Sequence, residues 1–88
     1  MFTMTEAAAG LLERMLEESD APDGVAVRFV FEGEDLKSRI DTIQPGDQVF
    51  AHDGRKVLIV DQGVSKALSK SVLDVEQTQK GAALVLMH

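Results

Sequence analysis

The residues of this sequence with the most chemistry to offer are Glu32, Glu34 and Asp35, grouped around Gly33, and the histidines His52 and His88. Carboxylate oxygens and an imidazole nitrogen are ligands for a hard cation. A hairpin loop around Glu34, acting with His52, is therefore one candidate metal or small-ligand module. The simpler reading of the same acidic run is a solvated turn, since no calcium-loop spacing is present. His52 could act as a general base, but no nucleophile stands beside it, and its place before Asp53-Gly54 suits a surface histidine flanking a turn. Ser65, Ser69 and Ser71 can be combined on paper with His52 and several Asp residues, but no Gly-x-Ser-x-Gly elbow accompanies them. The glycines form no phosphate-binding loop. Met1, Met4, Met15 and Met87 are assigned to packing rather than copper ligation, and His88 to a frayed end. No catalytic, cofactor-binding or metal-ligating residue is assigned, and no cofactor is expected.

Composition narrows the function classes. The sequence has 88 residues, with 15 Asp and Glu against 9 Lys and Arg, a net charge of −6. A nucleic-acid surface needs a basic face, and an anionic membrane repels an acidic chain, so neither partner is expected. Arg55-Lys56 is the one basic pair. There is no cysteine, which removes disulfides, thiolate zinc sites, cysteine nucleophiles and the common ligation of iron–sulfur clusters. No apolar run approaches the roughly 20 residues of a membrane span. The first residues lack the basic flank and apolar block of a signal peptide, so a cytoplasmic location is the expectation. These exclusions point away from an enzyme.

The periodicity specifies the elements that carry these residues. Phe2 to Met4 suits a short leading strand. Ala8, Leu11, Leu12, Met15 and Leu16 recur every three or four residues, predicting a helix from about Thr5 to Ser19, with either Thr5 as its N-cap or Thr3 forming a capping box with Glu6. Glu13, Glu17 and Glu18 form its wet face, where Arg14 and Glu18 have the spacing of a pair. Asp20 to Gly24 ends the helix. From Val25 the period becomes two: Val25, Val27, Phe29 and Phe31 on one face, Ala26, Arg28, Val30 and Glu32 on the other. Leu36 to Ile43 can return as a second strand, and Pro45-Gly46 suits a type II turn. Asp53-Gly54 between Gln48–His52 and Arg55–Val60 predicts a tight hairpin. Val57 to Val60 is apolar throughout, as in a strand buried on both faces. Asp61 can cap a short helix with Val64, Ala67 and Leu68 on one side. Val72 to Gln77 and Ala82 to Met87 complete the strands, joined at Lys80-Gly81. The result is one α+β domain over residues 1–88, mostly antiparallel, with one long N-terminal helix and one short one. The first helix is expected to cover the sheet face bearing Val25, Val27, Phe29 and Phe31.

This order, with particular residues, resembles the HesB-like family of A-type iron–sulfur cluster carriers. Phe2-Thr3-Met4-Thr5-Glu6-Ala7-Ala8 is similar to that family's opening strand and helix start. Gly24 to Arg28, Lys56 to Asp61 with Leu68, Leu73 to Val75, and Lys80 to Leu84 are similar to its later strands. The resemblance implies a HesB-like fold and a place near iron–sulfur cluster assembly. Family members that carry clusters have a Cys just after the first hairpin's Gly and a later Cys-Gly-Cys. Here Glu34 follows Gly33, and the sequence reaches His88 without a Cys-Gly-Cys. The resemblance thus implies a degenerate carrier acting by protein–protein contact, with iron–sulfur assembly factors or a second copy as partners. The apolar run Ala82 to Met87 is the strand expected to offer an edge for self-association.

Overall fold

The computed structural model describes residues 2–87, so the assignments of Met1 and His88 lie outside the described residues. The elements are β1 (Thr3–Met4), α1 (Glu6–Glu18), β2 (Val25–Glu32), β3 (Asp35–Thr42), β4 (Gln48–His52), β5 (Arg55–Val60), α2 (Gln62–Ala67), β6 (Val72–Thr78) and β7 (Gly81–Met87).

Local chemistry accounts for most boundaries. Thr5 caps α1 by accepting from the Ala8 N–H at 3.2 Å, and its hydroxyl donates to Asp74 at 2.8 Å, tying the helix start to β6. Asp20, at φ 52°, ends the helix: its N–H reaches Glu17 O and that of Ala21 reaches Leu16 O. Asp53 (φ 51°) and Gly54 (φ 80°) both occupy the left-handed region, as a type I′ hairpin requires. Gly46 (φ 89°) takes the strained position of the Pro45-Gly46 turn, with Asp47 N bonded to Gln44 O. Asp61 accepts from the Val64 N–H at 2.8 Å and starts α2. Asp61→Ala is therefore expected to cost about 1 kcal/mol, seen as a lower urea midpoint with an unchanged slope.

The strands form two sheets. One has the order β3-β2-β5-β4 and the other β1-β6-β7. The hairpin pairs β2–β3, β4–β5 and β6–β7 are antiparallel; β2–β5 and β1–β6 are parallel. α1 packs against strands of both sheets, chiefly β5, β6 and β4, and only lightly against β2. Its buried stripe is Ala8, Ala9, Leu12 and Leu16, while Leu11 and Met15 sit at its margin. Val57, Leu58, Ile59 and Val60 are all fully buried, so β5 is the centre of the core. Phe2 meets Phe50 edge to face at 5.4 Å, closing the core near β4.

Three expectations need correction. Phe31 is 43% exposed, because the β2–β3 hairpin runs on beyond the elements that cover Val27 and Phe29. Arg28, set by alternation on the face of β2 opposite Val27 and Phe29, is buried together with Ala26, so that face is covered as well. Ala67 is exposed: α2 buries Val64 and Leu68, four residues apart, and Ala67 turns off that line.

Candidate interaction surface

The β2–β3 connection is two residues, Gly33-Glu34, between the paired residues Glu32 and Asp35. Gly33 has φ 65°, as the first central residue of a type II′ turn does. Glu34 is thus held at the tip of a tight hairpin in solvent. His52 lies elsewhere. It pairs with Arg55 at the start of β5, and β5 runs parallel to β2 with Val27 beside Leu58. That register puts Arg55 level with Gly24, so β2 separates His52 from the Glu34 turn by about 26 Å at roughly 3.3 Å per residue. The module imagined from Glu34 and His52 is not assembled, because strand direction sends its two halves to opposite ends of one sheet. Among the described residues no three His, Asp or Glu side chains are grouped to hold a metal ion.

His52 is not a free surface histidine either. Its Nδ1 lies 3.4 Å from Glu13 Oε2 and 3.7 Å from Asp53 Oδ2, with the ring 19% exposed. The pair ties the β4–β5 hairpin to α1, so Glu13 is not merely part of the helix's wet face. Ser65 donates to Gln48 Oε1, not to His52, and the paper grouping of Ser, His and Asp does not form.

The strongest polar cluster was missed by alternation. Arg28 donates from Nε to Asp41 at 2.9 Å, from Nη1 and Nη2 to the two oxygens of Asp47 at 3.0 and 2.5 Å, and from Nη2 to Thr42 O at 3.2 Å. The two-pronged contact with Asp47 raises the Arg28 pKa despite burial. Arg28, and then the Gln44 N–H, hold the Asp47 carboxyl below its usual range. Asp41 is held low first by the Thr42 N–H and then by Arg28. These bonds make the cluster a brace between β2, β3 and the β3–β4 turn.

The open surface lies between the two sheets. A groove of about 310 Å³ separates β3 from β7. Leu36, Lys37 and Ser38 form one wall, Leu84, Val85 and Leu86 the other, with Phe29 and Leu73 between them. Three consecutive residues on each wall mean that each strand presents its backbone edge as well as one face. Phe31 and Ile40, each 43% exposed, extend the apolar surface along the β2–β3 hairpin, and Met87, 51% exposed, ends β7. A cleft of mixed polarity between two open strand edges, with apolar side chains beside Lys37 and Ser38, suits a polypeptide better than a small polar molecule.

No protein-family model and no curated protein matches this sequence. Solved structures do. SufA from Escherichia coli, described as involved in the biosynthesis of iron–sulfur clusters, superposes with a TM-score of 0.72 at 20% identity, covering 99% of this chain and 84% of SufA. The chain has the HesB-like fold. IscA, in a crystal structure with a [2Fe-2S] cluster, matches with a TM-score of 0.64 at 19% identity, over 100% of this chain and 85% of IscA. An Aquifex aeolicus protein solved by NMR in solution gives 0.66 at 22% identity, over 99% of this chain and 90% of its own. At such identities the likeness establishes the fold, and chemistry must be read from this chain's own residues. Those residues do not fit an iron–sulfur cluster. There is no thiolate in the chain, and among the described residues the carboxylates of the first hairpin join no group of three that could hold a metal ion.

Proposed function

We propose that this chain is a non-catalytic accessory or regulator of iron–sulfur cluster assembly, acting in the cytoplasm through protein–protein contacts. The observation that carries the reading is the conjunction of a HesB-like fold over 99% of the chain with an entire absence of cysteine. A backbone of this type without sulfur donors keeps the shape that partners of a carrier recognise and loses the means to hold the cargo. The cleft between β3 and β7 supplies a surface for such contacts. No helix among the described residues is long and apolar enough to cross a membrane, which accords with a partner in aqueous phase.

The test is a pull-down of the tagged chain from native cell extract at several salt concentrations, with a parallel anaerobic incubation of the purified chain with ferrous iron and sulfide. Enrichment of iron–sulfur assembly proteins and a colourless product are expected. Uptake of stoichiometric iron and sulfide with visible absorbance, or consistent absence of assembly proteins from the captured material, would overturn the reading. Calcium, zinc and ferrous iron are expected to leave the thermal midpoint unchanged. A site filled to one hundred times its dissociation constant would instead add about 2.7 kcal/mol.

A further inference from the structure

We propose that the cleft between β3 and β7 takes an extended segment of a partner protein in which apolar and acidic residues alternate, added as a strand along β7. The inference rests on the reading that the chain works by protein contact, and it names the chemistry of the segment contacted.

The first argument is the backbone. β3 and β7 each end a sheet, and their free edges face each other across the cleft. β7 pairs with β6 in regular register, from Thr78 opposite Gly81 to Val72 opposite Met87. The pair that closes a two-residue hairpin is a hydrogen-bonded one. Gly81, Ala83, Val85 and Met87 therefore direct their backbone groups at β6, and Ala82, Leu84 and Leu86 turn theirs toward the cleft. No charge, proline or bulge blocks that row. A row of unpaired donors and acceptors is matched by another extended backbone.

The second argument selects the side chains of the occupant. Cross-strand partners share a face, so Leu36, Ser38 and Ile40 lie on the side of β2 that bears Phe31, Phe29 and Val27, and Lys37 and Arg39 lie on the other. On β7, Leu84 and Leu86 pack against the core, and Ala83 and Val85 take the opposite side. The inward side chains of a strand laid along β7 meet Leu36, Leu84 and Leu86 above Phe29 and Leu73, which calls for apolar residues. Its outward side chains meet Lys37 and Arg39 from β3 and only Ala83 and Val85 from β7. Among the described residues Lys37 makes no ion pair, and Arg39, 63% exposed, shares an Asp41 that Arg28 already binds. Carboxylates two positions apart on the added strand complement both cations. Asp35, at the hairpin end of the same face, repels a further one, which sets the matching run as acidic, apolar, acidic. The net charge of −6 opposes this only from a distance, where salt at physiological strength screens it beyond about 8 Å.

Fluorescence anisotropy of a labelled seven-residue peptide of alternating valine and glutamate, titrated with the purified full chain, tests this. Saturable binding that weakens as salt rises is expected. Lysine in place of glutamate should weaken it about fivefold or more. The glutamate peptide N-methylated on its backbone amides should not bind. Lys37→Glu, at an exposed position, should keep the circular dichroism of the fold and reverse the preference between the two peptides. Lys66→Glu makes the same charge change on α2, outside the cleft, and should leave the preference as it was. Absence of saturable binding overturns the proposal, and a cleft already closed by a second copy would have that consequence. So do equal binding of the lysine peptide, binding that survives N-methylation, and Lys37→Glu acting no more strongly than Lys66→Glu. Capture of assembly proteins without peptide binding would end this strand site and leave the accessory role standing; peptide binding without such capture would do the reverse.

Discussion

Replacing Arg28 with alanine is expected to destabilise the fold by about 3–5 kcal/mol, the usual cost of removing one partner from a buried ion pair. The Arg28 and Asp47 side chains are only 7% and 4% exposed. Without the guanidinium, Asp47 keeps its Gln44 N–H bond at 2.8 Å and loses both charge-assisted contacts. Arg28→Met with Asp47→Leu should recover much of the loss, since exchanging a buried pair for packed apolar groups is often neutral. Urea melts of the three proteins decide the matter, and a loss under 1 kcal/mol for Arg28→Ala would show the brace to be idle. Acid gives a second readout. The Asp47 carboxyl is depressed in the folded state, so it contributes stability above its ordinary value of 3.8, and that contribution fades as pH falls through the lower folded value. The parent chain should therefore lose stability between about pH 5 and pH 3, and Arg28→Ala should lose less over that window. Arg28 itself, with its pKa raised, stays protonated throughout and adds nothing to the slope.

Leu12→Ala is expected to cost about 3–4 kcal/mol, near the middle of the range for a buried leucine whose cavity cannot collapse. Leu12 is wholly buried at the middle of α1, where that helix is wedged between strands of both sheets. Two sheets cannot both move inward to fill the space. For a domain of this size the change corresponds to a fall in Tm of roughly 12–30 °C. A typical total stability of roughly 4–13 kcal/mol makes that a large fraction of the whole. Leu11, next to it but at the margin of the stripe, should cost far less on the same substitution. Equal losses at the two positions, measured by calorimetry, would contradict this placement of the helix.

The two experiments probe what local pattern could and could not reveal. The elements were legible because their signals are local. Thr5 and Asp61 cap the helices they precede, Asp53-Gly54 makes a type I′ turn, and Val57 to Val60 is dry on both sides. The unprotected character of Ala82 to Met87 was legible too, because it is a matter of composition. Its place at an edge was expected as well, and the sheet order puts it there. The burial of Arg28 was not legible. Alternation reports that neighbouring residues face opposite ways, but not that both faces of β2 are covered, nor that Asp47, nineteen positions away, comes to meet the guanidinium. Glu34 and His52 were combined on chemical type alone, and strand direction separates them.

By itself, then, the sequence determined the order of elements, the turns between them and the lack of any sulfur donor, because each follows from residue identity over a few positions. The tertiary structure alone decided the split into two sheets and the burial of Arg28. Those depend on pairings between distant strands, whose free energy comes from packing that no short window of residues contains.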